Sequence, residues 1–400
     1  MKKIQLGVIF GSRSCEHEVS IISALQLMRA VDLSRYDVIP IYISQRGEWY
    51  TGEVLKEMST YTPFNENRND ITFVQLDNVT GSNALMTIKR KTGIFGGDKQ
   101  EIVAYLDCVI PVMHGMHGED GTLQGLLEMS DIPYASSGVG ACSIGMDKVF
   151  MKQFFKGCGF PVLPSLWFIR TVWQEDNNMV VEQIESSLPY PVYVKPASLG
   201  SSIGVSCANN REELIDALEL GFEFDRKVMV EQGLVNNIEL NCSVLGYNQK
   251  LSVSPIEMPI SEGAVLDFVQ KYGNQSSKGM ASLKRVLPAP IEDDLTKKIQ
   301  NLSKQIFTEM DCKGVVRIDF MYSVDKKELY ITEINTIPGS LSFYLWEKAG
   351  VSYSQLIDKM VECAMAAKED KENSTFAFTS DILKNMSLGK AGAKSGAKIM

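Results

Sequence analysis

Four polar side chains in one short stretch could do chemistry together: Arg317, Asp319, Glu333 and Asn335. They lie in GVVRIDFMYSVDKKELYITEINTIPGS, residues 314–340, which reads as two β-strands joined by a turn at 324–327. Both runs are rich in β-branched and aromatic residues. A turn centred on Lys326 pairs the strands antiparallel, with Asp319 opposite Glu333 and Arg317 opposite Asn335. Side chains two apart share a face, so all four point the same way, with Met321 and Ile331. The other face then carries Ile318, Phe320, Tyr330 and Ile334. Two carboxylates directly opposite repel, by roughly 3 kcal/mol at about 5 Å and an effective dielectric near 20. A hard dication between them reverses that sign. Asp, Glu and Asn oxygens are what Mg²⁺ prefers, and Mg²⁺ commonly arrives with phosphates. The plain alternative is a solvated hairpin face.

Cations for such an anion occur elsewhere. Lys195 ends the apolar run Pro191–Val194 and opens the loop KPASLGSSIGV, with Ser201 and Ser202. Backbone N–H groups, hydroxyls and one cation suit a phosphate. No G-K-[ST] closes the loop, so it is not a Walker A loop. Ser202 fits G-x-S-x-G, but no His follows His117, which excludes a hydrolase of that order. Lys148 opens a helix through Lys156 and reads equally as a surface lysine. Gly138 and Gly140 are followed by Ser143 rather than Gly, so no dinucleotide fingerprint exists. Glu231 and Glu239 flank a break at Gln232-Gly233; alone, each reads as an edge charge. Lys271 and Tyr272 precede a polar run to Ser282, which suits a closing lid. His114 lies in HGMHGEDG, after an apolar strand over 102–112. Open α/β sheets bind ligands at that end of a strand.

The elements that must hold these groups follow. Ile4–Phe10 is a strand and Gly11–Ser14 a hydroxyl-rich turn; a helix from Glu16 to about Ala30 and a strand over Val38–Ile43 complete β-α-β and a parallel sheet. The helix start is an anion site, and Glu16 sits in its first turn, where it also complements the dipole. Residues 60–100 read as peripheral strands and loops. Helices are expected over Arg211–Leu220, Leu295–Met310 and Ser352–Ala367, and strands over Val228–Glu231 and Ile238–Leu245.

Four hundred residues imply two or three domains, and 44% hydrophobic with 22% charged residues is ordinary for a soluble globular chain. A net charge of -9 argues against nucleic acid as a partner. No apolar run reaches 18 residues, which argues against a membrane span, and the N-terminus lacks the pattern of a signal peptide. The eight cysteines form no CxxC pair, so reduced thiols and a cytoplasmic location are expected. Three histidines and no clustered cysteine make zinc an unfavourable reading.

Eight motifs in order carry a resemblance: GSRSCEHEVS, HGMHGEDGTLQG, MDKVFMK, PVYVKPASLGSSIGVS, the Glu231 and Glu239 strands, KY at 271–272, RIDF and EINTIPG. Together, over residues 4 to about 365, they resemble the D-alanine–D-alanine ligases of the ATP-grasp superfamily. The resemblance implies an α/β multidomain fold: a Rossmann-like substrate domain over 1–142 and ATP-grasp subdomains over 143–246 and 247–367; the low-complexity, basic composition of 368–400 separately reads as a disordered tail. It implies D-alanyl-D-alanine synthesis for peptidoglycan through a D-alanyl phosphate, with ATP, two Mg²⁺ or Mn²⁺ ions and a homodimer. By motif, ATP would meet Lys148, Lys195, Ser201, Ser202, Glu231, Gln232, Gly233, Glu239 and Lys271. Asp319, Glu333 and Asn335 would hold metal; Arg317 and the Gly339 backbone would stabilise the acyl phosphate and tetrahedral intermediate. Glu16 would meet the first substrate's ammonium and His114 would lie near its carboxylate; Glu16, Ser201 and Tyr272 would orient the attacking amine.

Two departures stand out. Tyr344 falls where the family has the Ser that holds the acceptor's carboxylate, with Ser340 or Ser342 as substitutes. Phe268-Val269 stands where Tyr-Glu is usual. They open the alternative of a ligase with another amino acid or hydroxy acid as second substrate, while Tyr272 favours an amine.

Overall fold

Three sheets, each joining strands distant in sequence, place the site residues. The computed structural model describes residues 2–90, 98–260, 284–376 and 380. Lys271, Tyr272 and Phe268-Val269 lie outside the described residues, as does 381–400.

The first sheet starts with β1 (Ile4–Gly11), α1 (His17–Ala30) and β2 (Tyr36–Ile43). The short strands β3 (Trp49–Thr51) and β4 (Thr72–Phe73) add to it antiparallel. Peripheral strands β5 (Gln75–Leu76), β6 (Ala84–Arg90) and β7 (Asp98–Tyr105) form a separate sheet. β8 (Cys108–Pro111) joins the first one, in order β4-β3-β2-β1-β8, parallel to β1. The strand expected over 102–112 is therefore two. Ile102, Val103 and Tyr105 are exposed, whereas Cys108, Val109 and Ile110 are fully buried. Apolar composition joined the two runs; Asp107, which accepts from the Gln5 amide N–H at 2.8 Å, separates them. α2 (Thr122–Ser130) follows.

The second sheet belongs to α3 (Val139–Met146), α4 (Lys148–Gly157), β9 (Ser165–Ile169), α5 (Arg170–Glu175), α6 (Asn177–Ser187), β10 (Val192–Pro196), β11 (Ser206–Ala208), α7 (Arg211–Phe224) and β12 (Lys227–Gln232). Its order is β11-β10-β12-β9, antiparallel throughout. α7 runs four residues past the expected Leu220, because Gly221 and Phe222 still bury against the sheet.

The third sheet, β14-β13-β17-β18, uses β13 (Asn237–Tyr247), β14 (Lys250–Val253), β17 (Gly314–Ser323) and β18 (Glu328–Asn335). A small ribbon of β15 (Met258–Pro259) and β16 (Arg285–Val286) lies beside it, and α8 (Asp293–Glu309) covers its apolar face. α9 (Phe343–Lys348) and α10 (Tyr353–Glu372) follow, the last helices among the described residues. α10 buries Leu356, Ile357 and Met360 against Leu6, Val8 and Phe10, so the last helix and the first sheet share one core. Burial of each such side chain stabilises by about 2 kcal/mol. Residues 368–372, expected to lie in a disordered tail, instead continue α10, where Lys368 pairs with Asp131 and Lys371 with Glu128 at the end of α2. No helix among the described residues is long and apolar enough to cross a membrane.

Candidate active site

The β17–β18 hairpin has the expected register at its functional end: Arg317 faces Asn335 and Asp319 faces Glu333. Beyond that pair it departs. Thr332 is an extra residue, its hydroxyl donating to the Asp319 carbonyl at 2.8 Å, so Phe320 pairs with Ile331 and Met321 with Tyr330. The bulge exchanges two side chains. Ile331 joins the core with Ile318, Phe320 and Ile334, and Tyr330 moves to the opposite face. A bulge leaves one residue unpaired and twists the strand. Strict alternation along a single strand cannot reveal it.

Arg317 donates to both oxygens of Asp319, Nε to Oδ1 and Nη2 to Oδ2, each at 2.6 Å. Asn335 Nδ2 adds a 3.1 Å bond to Oδ2. Burial pushes the Asp319 carboxyl up to about 6; Arg317 opposes this, while Glu333 and Glu257 add to it. The expected repulsion is thus present. Asp319, Glu333 and the Asn335 amide oxygen form an all-oxygen donor set, which fits Mg²⁺. Among the described residues, no three His, Cys, Asp or Glu side chains cluster tightly enough to hold an ion by themselves. A bound ion would therefore complete its shell with phosphate or water.

The lysines come from the second sheet and α4. Asp147 caps α4, accepting from Val149 N at 3.0 Å and Phe150 N at 3.1 Å, and pairs with Lys227. That start turns Lys148 inward, where its ammonium donates to the Leu199 carbonyl at the phosphate-type loop. Within the loop, Ser201 and Ser202 have φ of 52° and 60°, strained values of the kind that concentrate at functional sites. Burial lowers the pKa of Lys148, with Glu333 and then Glu16 opposing; Lys195 is raised against its burial by Glu231 and, after it, Glu333. The acidic hairpin and these two lysines therefore share one electrostatic environment.

Glu231 does not offer a free carboxylate. It is 2% exposed and lies between Lys195 and Lys152. The adjoining N–H groups of Gln232 and Gly233 donate to the carbonyls of Pro164 and Pro191, at 3.0 Å and 2.8 Å. Glu239 is exposed on β13. The sequence reading missed Lys152. Its signal was the four-residue spacing from Lys148, which puts both on one helix face.

Glu16 is buried at the start of α1 and accepts from the Ser201 hydroxyl, as expected. A Cβ on Gly115 or Gly200 would come within 2.5 Å or 2.8 Å of Glu16 Oε2. Two backbone loops therefore close directly on this carboxylate, and only glycine permits both. His114 is 3% exposed, with both ring nitrogens engaged. Nδ1 lies 3.0 Å from the Ile337 carbonyl and must donate to it, so Nε2, 2.9 Å from Ser23 Oγ, accepts from that hydroxyl. Ser23 Oγ in turn accepts from Ser340 N at 3.1 Å. What His114 gives the site is the position of the loop 337–342, where Ser340, Leu341 and Ser342 all have φ near 50°. Glu119 does similar work, unforeseen although it lies in HGMHGED. It accepts from Gly115 N and Ile337 N, both at 3.0 Å, and burial, then Glu16, push it up to about 8.

Burial lowers His114 to about 4 from an ordinary 6.5. A histidine held neutral in the fold stabilises it fully above pH 6.5, and that stability is lost as pH falls towards 4. Each pH unit in the window is worth about 1.4 kcal/mol. The thermal midpoints of the native chain and His114→Asn should therefore converge between pH 7 and pH 5. A constant gap would contradict this.

Tyr344, which replaces the expected Ser, is half-buried. Its hydroxyl donates to Glu257 Oε2 at 3.1 Å, and the Arg285 guanidinium stacks 3.9 Å above its ring. Arg285 also pairs with Glu257 at 2.8 Å. Tyr344 is thus part of a packed wall beside Arg317, whose pKa Glu257 also raises. Ser340 and Ser342 are buried, and the Ser342 hydroxyl finds no partner among the described residues.

The family described as "D-ala D-ala ligase N-terminus" matches residues 5–137, and "D-ala D-ala ligase C-terminus" matches 154–362. The D-alanine–D-alanine ligase of Natranaerobius thermophilus is 38% identical over 385 residues, 95% of this chain and 100% of that protein. The one from Thermosipho africanus is 36% identical over 381 residues, 95% and 98%. Among solved structures, the VanG D-Ala:D-Ser ligase from Enterococcus faecalis is 30% identical with a TM-score of 0.76, covering 91% of this chain and 100% of its own. The D-alanine–D-alanine ligase from Coxiella burnetii, 24% identical over 93% of this chain and 97% of its own, shares the fold with a TM-score of 0.76.

Proposed function

This chain belongs to the D-alanine–D-alanine ligase family, and from that premise we propose how its own residues carry out the reaction. The chain is an ATP-grasp ligase that forms a C–N bond in peptidoglycan precursor synthesis. The family is ATP-dependent and generally uses Mg²⁺. The observation that carries the residue assignment is Asp319 facing Glu333 beside Arg317, within the field of Lys148 and Lys195.

A D-alanine carboxylate accepts the γ-phosphoryl group of ATP, and the amine of a second D-alanine displaces phosphate from the resulting acyl phosphate. Both steps bring anions together, so fixed cations must be in place beforehand. Lys148 and Lys195 meet the nucleotide phosphates at the loop of Ser201 and Ser202; Glu231, Gln232 and Gly233 form the nucleotide's strand edge, and Glu239 meets its ribose. Asp319, Glu333 and Asn335 would hold two Mg²⁺, which would supply charge neutralisation for the transferring phosphoryl group. Arg317 faces the acyl phosphate, with the backbone at Gly339. Glu16, bonded to Ser201, receives the first substrate's ammonium and, with Tyr272, orients the attacking amine. His114 keeps the loop at 337–342 in register beside the carboxylates. Lys271 is assigned to the γ-phosphate by its match to the family motif. Residues 1–142, 143–246 and 247–367 act as substrate, central and C-terminal units of a cytoplasmic homodimer.

Phosphate release should require ATP, Mg²⁺ and D-alanine, with one D-alanyl-D-alanine formed per ADP. L-alanine should give none. Absence of turnover with D-alanine, but turnover with another acceptor, would return the assignment to the second-substrate alternative raised by Tyr344. Tyr344 itself gives that alternative no further support, since its hydroxyl and ring are both taken up by Glu257 and Arg285.

A further inference from the structure

The cluster of Lys152, Glu231 and Lys195 contains more charge than a salt bridge needs. Lys152 lies one turn after Lys148 on α4, 4% exposed, and Glu231 is 2% exposed on β12. Lys195, on β10, is more open, at 16%. Its pairing with Glu231 follows from the β10–β12 ladder, in which Tyr193 faces Glu231 and Lys195 faces Met229. One carboxylate is thus shared by two ammonium groups, one sealed in and one at the cleft.

A lysine paired one-to-one with a carboxylate is a neutral dipole with little pull on an anion. Sharing the carboxylate with a second ammonium restores a net charge of one. We propose that Lys152 is a positioning residue that keeps Lys195 available to nucleotide phosphates, by taking half of Glu231 and leaving the cluster with a surplus positive charge. This rests on the ligase reading, because it takes a nucleotide phosphate as the anion at Lys195.

The local electrostatics agree. Burial works against the Lys152 ammonium and lowers its pKa, with Glu231 opposing. Burial would raise Glu231, but Lys152 and Lys195 outweigh it and hold it at about 2. A surplus positive charge in a dry environment is the unfavourable component of the ligand-free state. A phosphate oxygen at Lys195 relieves it, so the cluster favours the phosphate-bound state.

Charge counting sets the test. The native cluster carries +1, Lys152→Met carries 0, and the double variant Lys152→Met/Glu231→Gln carries +1 again, on Lys195 alone. Calorimetry with MgATP and with adenosine reads the difference. Lys152→Met should weaken MgATP roughly tenfold or more, the scale of losing one close charge, and leave adenosine unchanged. Lys152→Arg should bind MgATP close to the native level, and the double variant should recover most of the MgATP-to-adenosine affinity ratio that Lys152→Met loses, the ratio cancelling any effect of Glu231→Gln on the nucleotide's strand edge. Native MgATP affinity in Lys152→Met overturns the inference. So does equal weakening of adenosine, or a double variant no better than the single one. Failure of both variants to fold would make Lys152 a structural residue and overturns it too. Failure of the ligase reading is separate: the native chain would then release no phosphate with D-alanine.

Discussion

Asp319→Asn should lower ligase turnover by roughly a thousandfold, about 4 kcal/mol of transition-state stabilisation. The substitution removes one of the two facing carboxylates and leaves Arg317 one acceptor oxygen in place of the two it holds at 2.6 Å. The Mg²⁺ concentration needed for half-maximal rate should rise in the variant. The pH profile should also change. The native carboxyl is pushed up to about 6, and only its ionised form holds a cation. For the ligand-free enzyme, kcat/KM should therefore rise as pH increases through about 6, and this limb should vanish in Asp319→Asn. If the Mg²⁺ requirement and the acidic limb are both unchanged, Asp319 is not a metal ligand.

Arg317→Met acts on the same pair from the cationic side. Removing one preorganised donor from developing negative charge costs about a hundredfold to a thousandfold in kcat. Asp319 then stays behind as a buried carboxylate without its bidentate partner, and breaking such a pair costs roughly 3–5 kcal/mol of stability. Both losses should appear, as reduced kcat at saturating ATP and D-alanine and as a lower thermal midpoint. Arg317→Lys should recover part of the stability but little of the rate, because an ammonium cannot reproduce the two parallel bonds. A lysine variant with native kcat would show that charge alone suffices there.

These two residues were legible because their pairing is local. Four turn residues separate β17 from β18, so the turn at 324–327 determines which side chains face each other. The same logic fails at Thr332, where one inserted residue exchanges Tyr330 and Ile331. Both registers satisfy the composition, and only packing of Ile331 beneath the sheet selects between them. Glu16 and Ser201 were paired through family resemblance, across 185 positions, and the structure brings them together. Lys152, Ser23 and Glu119 were not foreseen. Their side chains look ordinary in sequence and gain significance from distant partners: Glu231, Ser340 and Ile337.

By itself, the sequence determined the chemistry on offer: an acidic hairpin, a Gly/Ser loop led by a lysine, a carboxylate at a helix start, and strands and helices to carry them. Propensity, periodicity and short turns act over a few residues, so they can be read from a few residues. Tertiary structure alone decided which charge meets which. Glu231 is taken by two lysines, and His114 is held neutral under the loop at 337–342. The reason is physical. Desolvation and Coulomb interactions depend on distance in space, and the partners that set them lie tens to hundreds of positions apart in the chain.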